Sequence, residues 1–82
     1  MSLEMSVKKS EIRICAGILQ NAQSADLKDH ICARLYITSA TFDKYATRLI
    51  AKGFLETNGK TYQITKKGMP VLAHWNRSIE FL

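Results

Sequence analysis

The hydrophobic period of the chain changes at Gly53, and this change restricts the fold more than any other feature of the sequence. Before Gly53, apolar side chains recur three and four residues apart, which is the period of an amphipathic helix. After it, the β-prone segments 54–57 and 60–64 flank Asn58-Gly59, the strongest short signal for a hairpin with a two-residue type I′ turn. The sequence therefore predicts a helix that ends at Gly53 and is followed at once by a two-stranded hairpin.

The length of the predicted turn determines which hairpin residues face each other. With Asn58 and Gly59 at the centre of the turn, successive pairs alternate between the two faces of the hairpin. We expect Leu55 and Tyr62 to pack inward as a pair. The predicted pairs are Thr57 with Lys60, Glu56 with Thr61, and Leu55 with Tyr62.

The helix before the hairpin is predicted to run from Thr38 to Lys52. Thr38 is a good N-cap, and Gly53 is a natural C-terminal stop because glycine adopts positive φ without strain. The apolar stripe of this helix is Phe42, Tyr45, Ala46, Leu49 and Ile50. The opposite face carries Ser39, Ala40, Asp43, Lys44, Thr47, Arg48 and Ala51.

Two further helices are predicted before this one. The first runs from about Ser6 to Asn21, and the second runs from Ala25 to about Ala33 with Ser24 as its N-cap. The core residues of the first are Ile12, Cys15, Ile18, Leu19 and Ala22, and those of the second are Leu27 and Ile31. Leu35, Tyr36 and Ile37 form the short connection to the helix that begins at Thr38.

A final helix is predicted after Thr65, which acts as its cap. Its apolar residues are Met69, Leu72, Trp75, Ile79 and Leu82. The resulting order, α-α-α-β-β-α, is a mainly α fold with a small β-hairpin, and it is typical of the winged helix-turn-helix. The 82 residues suffice for one small domain, which we assign to residues 6–82, with residues 1–5 as a flexible N-terminus and possible cloning remnant.

The charge of the chain is basic and concentrated in one segment. The formal net charge is +5, and the sequence pI is about 9.5. The segment 44–67 holds six bases and one acid, so its own charge of +5 equals that of the whole chain. A basic domain attracts polyanions, of which nucleic acid is the commonest in the cytoplasm. The bases are Lys44, Arg48, Lys52, Lys60, Lys66 and Lys67, and the acid is Glu56.

Several other classes of protein find no support in the sequence. Cys15 and Cys32 stand in no metal-ligand spacing, so we interpret them as structural and reduced. His30 is interpreted as a surface residue, and neither it nor His74 has neighbours that would form a catalytic triad. Without a phosphate loop, a signal segment or a long apolar run, we expect a cytoplasmic protein that is no enzyme and uses no cofactor.

Residues 35–55, from Leu35-Tyr36-Ile37-Thr38 to Lys52-Gly53-Phe54-Leu55, resemble the helix-turn-helix core of prokaryotic winged-helix regulators. The segment 62–68, Tyr-Gln-Ile-Thr-Lys-Lys-Gly, is similar to the pattern of wing end, Thr-x-x-Gly and final helix in MarR-type regulators and small archaeal winged-helix DNA-binding proteins. The resemblance covers about residues 35–68. It implies a regulator of transcription that binds duplex DNA with the helix 38–52 in the major groove.

The resemblance also implies a set of DNA-binding residues. Side chains near the start of the helix 38–52 would face the edges of DNA base pairs, and the lysine and arginine residues that follow would pair with phosphates. The very short wing departs from the family pattern, and so does Asp43, which would repel phosphate unless it accepts from a cytosine amino group. The first set is Ser39, Ala40, Thr41, Asp43, Lys44 and Thr47, the second is Arg48, Lys60, Lys66 and Lys67, and Thr38 is a further DNA-binding candidate.

The final helix suggests a partner copy as well. Trp75, Phe81 and Leu82 are too apolar to suit water near a chain end, so we expect a homodimer. Its seam would be formed by Met69, Leu72, Trp75, Ile79 and Leu82. The alternative function is a winged-helix module for protein–protein interaction that binds no DNA, with the helix 38–52 or the final helix docking a partner.

Overall fold

A computed structural model describes the backbone of residues 9–80 and the side chains of residues 10–77. Three predicted helices, a hairpin and a final helix follow each other as expected, and one short strand is added after the first helix. The predicted N-terminus 1–5 lies outside the described residues. The elements are α1 (Lys9–Asn21), β1 (Asp26–Leu27), α2 (Lys28–Leu35), α3 (Ser39–Ala51), β2 (Leu55–Thr57), β3 (Thr61–Ile64) and α4 (Gly68–Glu80).

One hydrophobic core joins all four helices and the sheet. The predicted core face of α1 is confirmed, because Cys15, Ile18, Leu19 and Ala22 are fully buried and Ile12 packs against them. The stripe of α3 is confirmed at four of its five positions. Ile50 is the exception, since it lies at the edge of the stripe and is 37% exposed. The buried residues of α3 are Phe42, Tyr45, Ala46 and Leu49.

The prediction for the start of the second helix is wrong. Ala25 and Leu27 precede the helix, and Leu27 is a 44% exposed strand residue instead of a core contact. The carboxylate of Asp26 accepts a hydrogen bond from the Leu27 N–H at 2.7 Å, and the Leu27 backbone is extended. β1 therefore pairs with β3 in an antiparallel sheet of order β1-β3-β2, with Asp26 opposite Tyr62 and Leu27 opposite Thr61.

The predicted hairpin register is also wrong, by two residues. The observed pairs are Leu55 with Ile64, Glu56 with Gln63, and Thr57 with Tyr62. The turn is centred on Gly59 and Lys60, because the Asn58 side-chain oxygen accepts from the N–H groups of Lys60 and Thr61, both at 2.9 Å.

The backbone of the turn agrees with this arrangement. Gly59 has φ +97° and Lys60 is not among the residues with positive φ, which is the pattern of a type II′ turn. A shift by two residues preserves the faces of the strands. Tyr62 therefore still faces the core, where it contacts the Phe42 ring edge-on with the ring centroids 5.0 Å apart.

Thr65 and Gly68 fasten the end of the hairpin to the end of α3. The Thr65 hydroxyl donates to the Gly53 carbonyl at 2.6 Å and accepts from the Gly68 N–H at 3.0 Å, which confirms Thr65 as the cap of α4. A Cβ atom at Gly68 would lie 2.3 Å from the Phe54 carbonyl oxygen. The Thr-x-x-Gly segment thus needs both of its named residues for close packing.

Tyr36 ends α2 in the left-handed region, with φ 56°, and its side chain is 94% exposed. Glycine is the usual residue in this conformation, because a Cβ atom there costs roughly 1–2 kcal/mol. We expect Tyr36→Gly to stabilise the protein by about 1 kcal/mol, measured by urea unfolding. Tyr36→Ala is the control, since it removes the same exposed side chain and keeps the strain. Equal stability of the two variants would contradict this assignment of strain.

Candidate nucleic-acid interface

The exposed face of α3 carries most of the residues predicted to meet base edges. Thr38 caps the helix, and its hydroxyl accepts from the Thr41 N–H at 3.1 Å. Thr41 is half-buried. Small side chains at Ala40, Thr47 and Ala51 occupy the middle of the exposed face, so another surface can approach the helix closely. Ser39, Ala40, Asp43, Lys44 and Thr47 are all exposed.

Two bases of α3 share one aromatic ring. The Lys44 ammonium lies 5.3 Å and the Arg48 guanidinium 5.5 Å from the centre of the Tyr45 ring. Burial, followed by its contact with Glu11, raises the pKa of the Tyr45 hydroxyl, which donates to the Glu11 carboxylate at 3.0 Å. A cation over an aromatic ring is held by the ring's negative face. Tyr45 therefore orients Lys44 and Arg48 on neighbouring turns of α3.

Further bases lie at the end of α3, at the hairpin turn and before α4. The Lys67 ammonium is 5.9 Å from the centre of the Phe54 ring, and the Lys67 chain runs past Gly53. Lys67 is thereby held beside the C-terminus of α3. Lys60 is a central residue of the turn, Lys52 is the C-cap of α3, and both are exposed, as is Lys66.

Sequence reasoning missed Lys28, which neutralises the acid on this face. The Lys28 ammonium donates to Asp43 Oδ1 at 2.8 Å, and the side chains are 28% and 56% exposed. This hydrogen bond raises the pKa of Lys28. Lys28 also lies 6.0 Å from the centre of the Phe42 ring. Because 15 positions separate the two residues, no local sequence pattern predicts this pair. The only signal is that the first residue of α2 lies beside the exposed face of α3.

Asp26 of β1 is another acid whose partners lie within the protein. Asp26 accepts from Arg34 at 2.6 Å and lies 2.9 Å from His30 Nδ1. The hydrogen bond from Arg34 is the main cause that lowers the pKa of Asp26 to about 2. His30 is exposed, as predicted. The charge of Asp26 is therefore balanced by Arg34 of α2.

The two cysteines are free thiols, and the predicted structural role fits Cys15. Cys15 is fully buried, and burial raises its pKa to about 12. Cys32 is half-buried, and burial raises its pKa as well. Among the described residues, no cluster of His, Cys, Asp and Glu is suited to hold a metal ion.

The apolar seam predicted for dimerisation is largely used by the core of the monomer. Leu72 and Trp75 are each 4% exposed, and Trp75 meets the Phe54 ring edge-on at 6.4 Å. Met69 is 50% exposed, whereas Ile79 and Leu82 lie outside the described side chains. Periodicity cannot distinguish a core face from a dimer face, so Leu72 and Trp75 are corrected to core residues. Homodimerisation through this helix stays a prediction.

Comparison with known families identifies the architecture. A family model described as winged helix-turn-helix matches residues 8–82, which is nearly the whole chain. The chain belongs to the winged helix-turn-helix family. No curated protein and no solved structure matches it. The fold class predicted from the sequence is confirmed, whereas the narrower resemblance to MarR-type or archaeal regulators stays a prediction.

The elements of the interface correspond to named parts of the winged helix-turn-helix. In a winged helix-turn-helix, α2 and α3 form the helix pair and the β2–β3 hairpin is the wing. The second helix of such a pair is the one that enters the major groove of DNA. Within residues 9–80, no helix has the length and apolar character needed to cross a membrane.

Proposed function

We propose that this winged helix-turn-helix domain binds duplex DNA and regulates transcription, with α3 in the major groove. The observation that carries the proposal is the surface of α3, where small side chains lie beside two basic residues, Lys44 and Arg48, that the Tyr45 ring orients. The concentration of the net charge of +5 within residues 44–67 supports it. A flat, basic helix face can enter a groove lined by phosphates.

The side chains divide into two roles under this proposal. Lys44 donates to guanine, and the methyl groups of Ala40 and Thr41 meet thymine methyl groups. The other basic residues bind phosphates, and these contacts give affinity and register without recognition of the DNA sequence. These phosphate-binding residues are Arg48, Lys60, Lys66 and Lys67.

Asp43 and the short wing are the two features that favour the competing function, a protein-interaction module. Because Lys28 neutralises Asp43, this acid no longer argues against a phosphate-lined groove. The short wing remains compatible with DNA binding when Lys66 and Lys67, which directly precede α4, supply the phosphate contacts. The balance therefore favours DNA.

Titration of a fluorescently labelled, mixed-sequence duplex at about 50 mM salt tests this function. We expect saturable binding that an excess of unlabelled duplex displaces. Single strands of the same composition are the control, and they should bind more weakly because they lack a major groove. If the duplex shows no measurable binding, the DNA-binding proposal fails and the interaction module takes its place.

A further inference from the structure

We infer that Lys28 and Asp43 together read one G·C base pair, an inference that rests on the proposed binding of duplex DNA. Asp43 is on the exposed face of α3, one residue before Lys44, and Lys28 reaches it from the first turn of α2. Each helix of the helix-turn-helix thus contributes one half of the reading pair.

The ion pair leaves hydrogen-bonding capacity on both partners. Asp43 Oδ1 receives the bond from Lys28, which leaves Oδ2 on a side chain that is 56% exposed. An ammonium group has three donors, and Asp43 uses one of those of Lys28. Two ammonium donors and the unbonded carboxylate oxygen Oδ2 therefore remain available within one ion pair at the edge of α3.

This arrangement matches the major-groove edge of a G·C pair. That edge presents two acceptors on guanine, N7 and O6, followed by the N4 amino donor of cytosine. Lys28 would donate to the two guanine acceptors, and Asp43 would accept from the cytosine amino group. An A·T pair presents its amino donor between two acceptors, so the adjacent ammonium donors of Lys28 would meet no such pair of acceptors there.

The pairing also accounts for an acid on a face that meets phosphates. An unpaired carboxylate in the groove would be repelled by the backbone, whereas a carboxylate held at 2.8 Å from an ammonium group adds no net charge. The contact of Lys28 with the Phe42 ring further restricts where its ammonium group lies. Asp43 and Lys28 are accordingly specificity-determining residues instead of phosphate contacts.

Selection of bound sequences from a random duplex pool tests the inference with three variants. Lys28→Met and Asp43→Asn each remove one half of the pair, and Lys66→Met removes a base assigned to phosphate binding. Wild type is expected to prefer G·C at one position about 5- to 150-fold. Both pair variants should lose that preference at the same position, with Asp43→Asn admitting A·T because asparagine suits adenine. Lys66→Met should weaken binding of all sequences alike.

Each contrary outcome identifies what has failed. If wild type and both pair variants select the same sequences, or if the lost position is not G·C, the inference is overturned while DNA binding stands. Binding of wild type without sequence preference overturns the inference in the same way. No binding of wild type at all overturns the proposed function itself. Melting temperatures of the variants verify that each remains folded.

Discussion

Gly68→Ala is expected to destabilise the protein by about 3 kcal/mol, the upper end of the usual cost of overpacking. The added Cβ would lie 2.3 Å from the Phe54 carbonyl oxygen and 2.9 Å from Ile64 Cγ1. The first of these is a backbone atom, which cannot move aside as a flexible side chain would. That oxygen also accepts from the Thr65 N–H at 3.0 Å, so displacing it disturbs the junction of the wing with α4.

Urea unfolding measures this effect against a neighbouring control. Met69→Ala changes the next residue in the same helical turn, whose side chain is 50% exposed, and should cost under about 1 kcal/mol. A loss of 3 kcal/mol is a large part of the stability of a domain of this size. A Gly68→Ala variant as stable as the Met69→Ala variant would contradict the close packing assigned to Gly68.

The double substitution Lys44→Glu and Arg48→Glu is expected to weaken duplex binding about 100-fold or more. Loss of the contact of Lys44 with a nucleobase costs roughly 1–3 kcal/mol, and loss of the phosphate contact of Arg48 adds to it. Both residues are exposed on α3, where Tyr45 orients them. Their replacement by acids adds repulsion from the phosphates to the loss of attraction. Fluorescence anisotropy with a labelled duplex at fixed salt measures the change.

A control with the same change in net charge separates the surface of α3 from the charge of the whole domain. Arg13→Glu with Arg77→Glu reverses two exposed bases on α1 and α4, outside the segment 44–67. We expect a much smaller loss for this pair, because neither residue is assigned to a DNA contact and salt screens exposed charges that make no direct contact. Equal losses for the two double variants would argue against α3 as the binding surface.

The parts of the fold that follow from local chemistry could be predicted from the sequence. The stripes of α1 and α3 depend on a period within one helix, and the caps Thr38 and Thr65 depend on residues three positions away. Gly53 has its predicted role as the C-terminal stop of α3, because its φ of +84° is costly for other residues. These features are encoded in short stretches of chain.

The parts that depend on distant partners could not be predicted. β1 exists because Asp26 and Leu27 pair with β3, far along the chain, and no local pattern distinguishes this pair from the first turn of a helix. The turn lies one residue later than predicted. The Asn58 side chain caps the turn, and Asn58 itself does not adopt the left-handed conformation. The Lys28–Asp43 pair likewise requires the crossing of two helices.

The salt dependence of duplex affinity tests the central claim, binding of DNA through the basic surface of α3, the wing and the start of α4. Each phosphate contact contributes a slope of about −0.9 to a plot of log affinity against log salt concentration. For the bases assigned to this surface we predict a slope of roughly −4 to −6 per monomer. A slope near zero, or no measurable binding at about 50 mM salt, would contradict it.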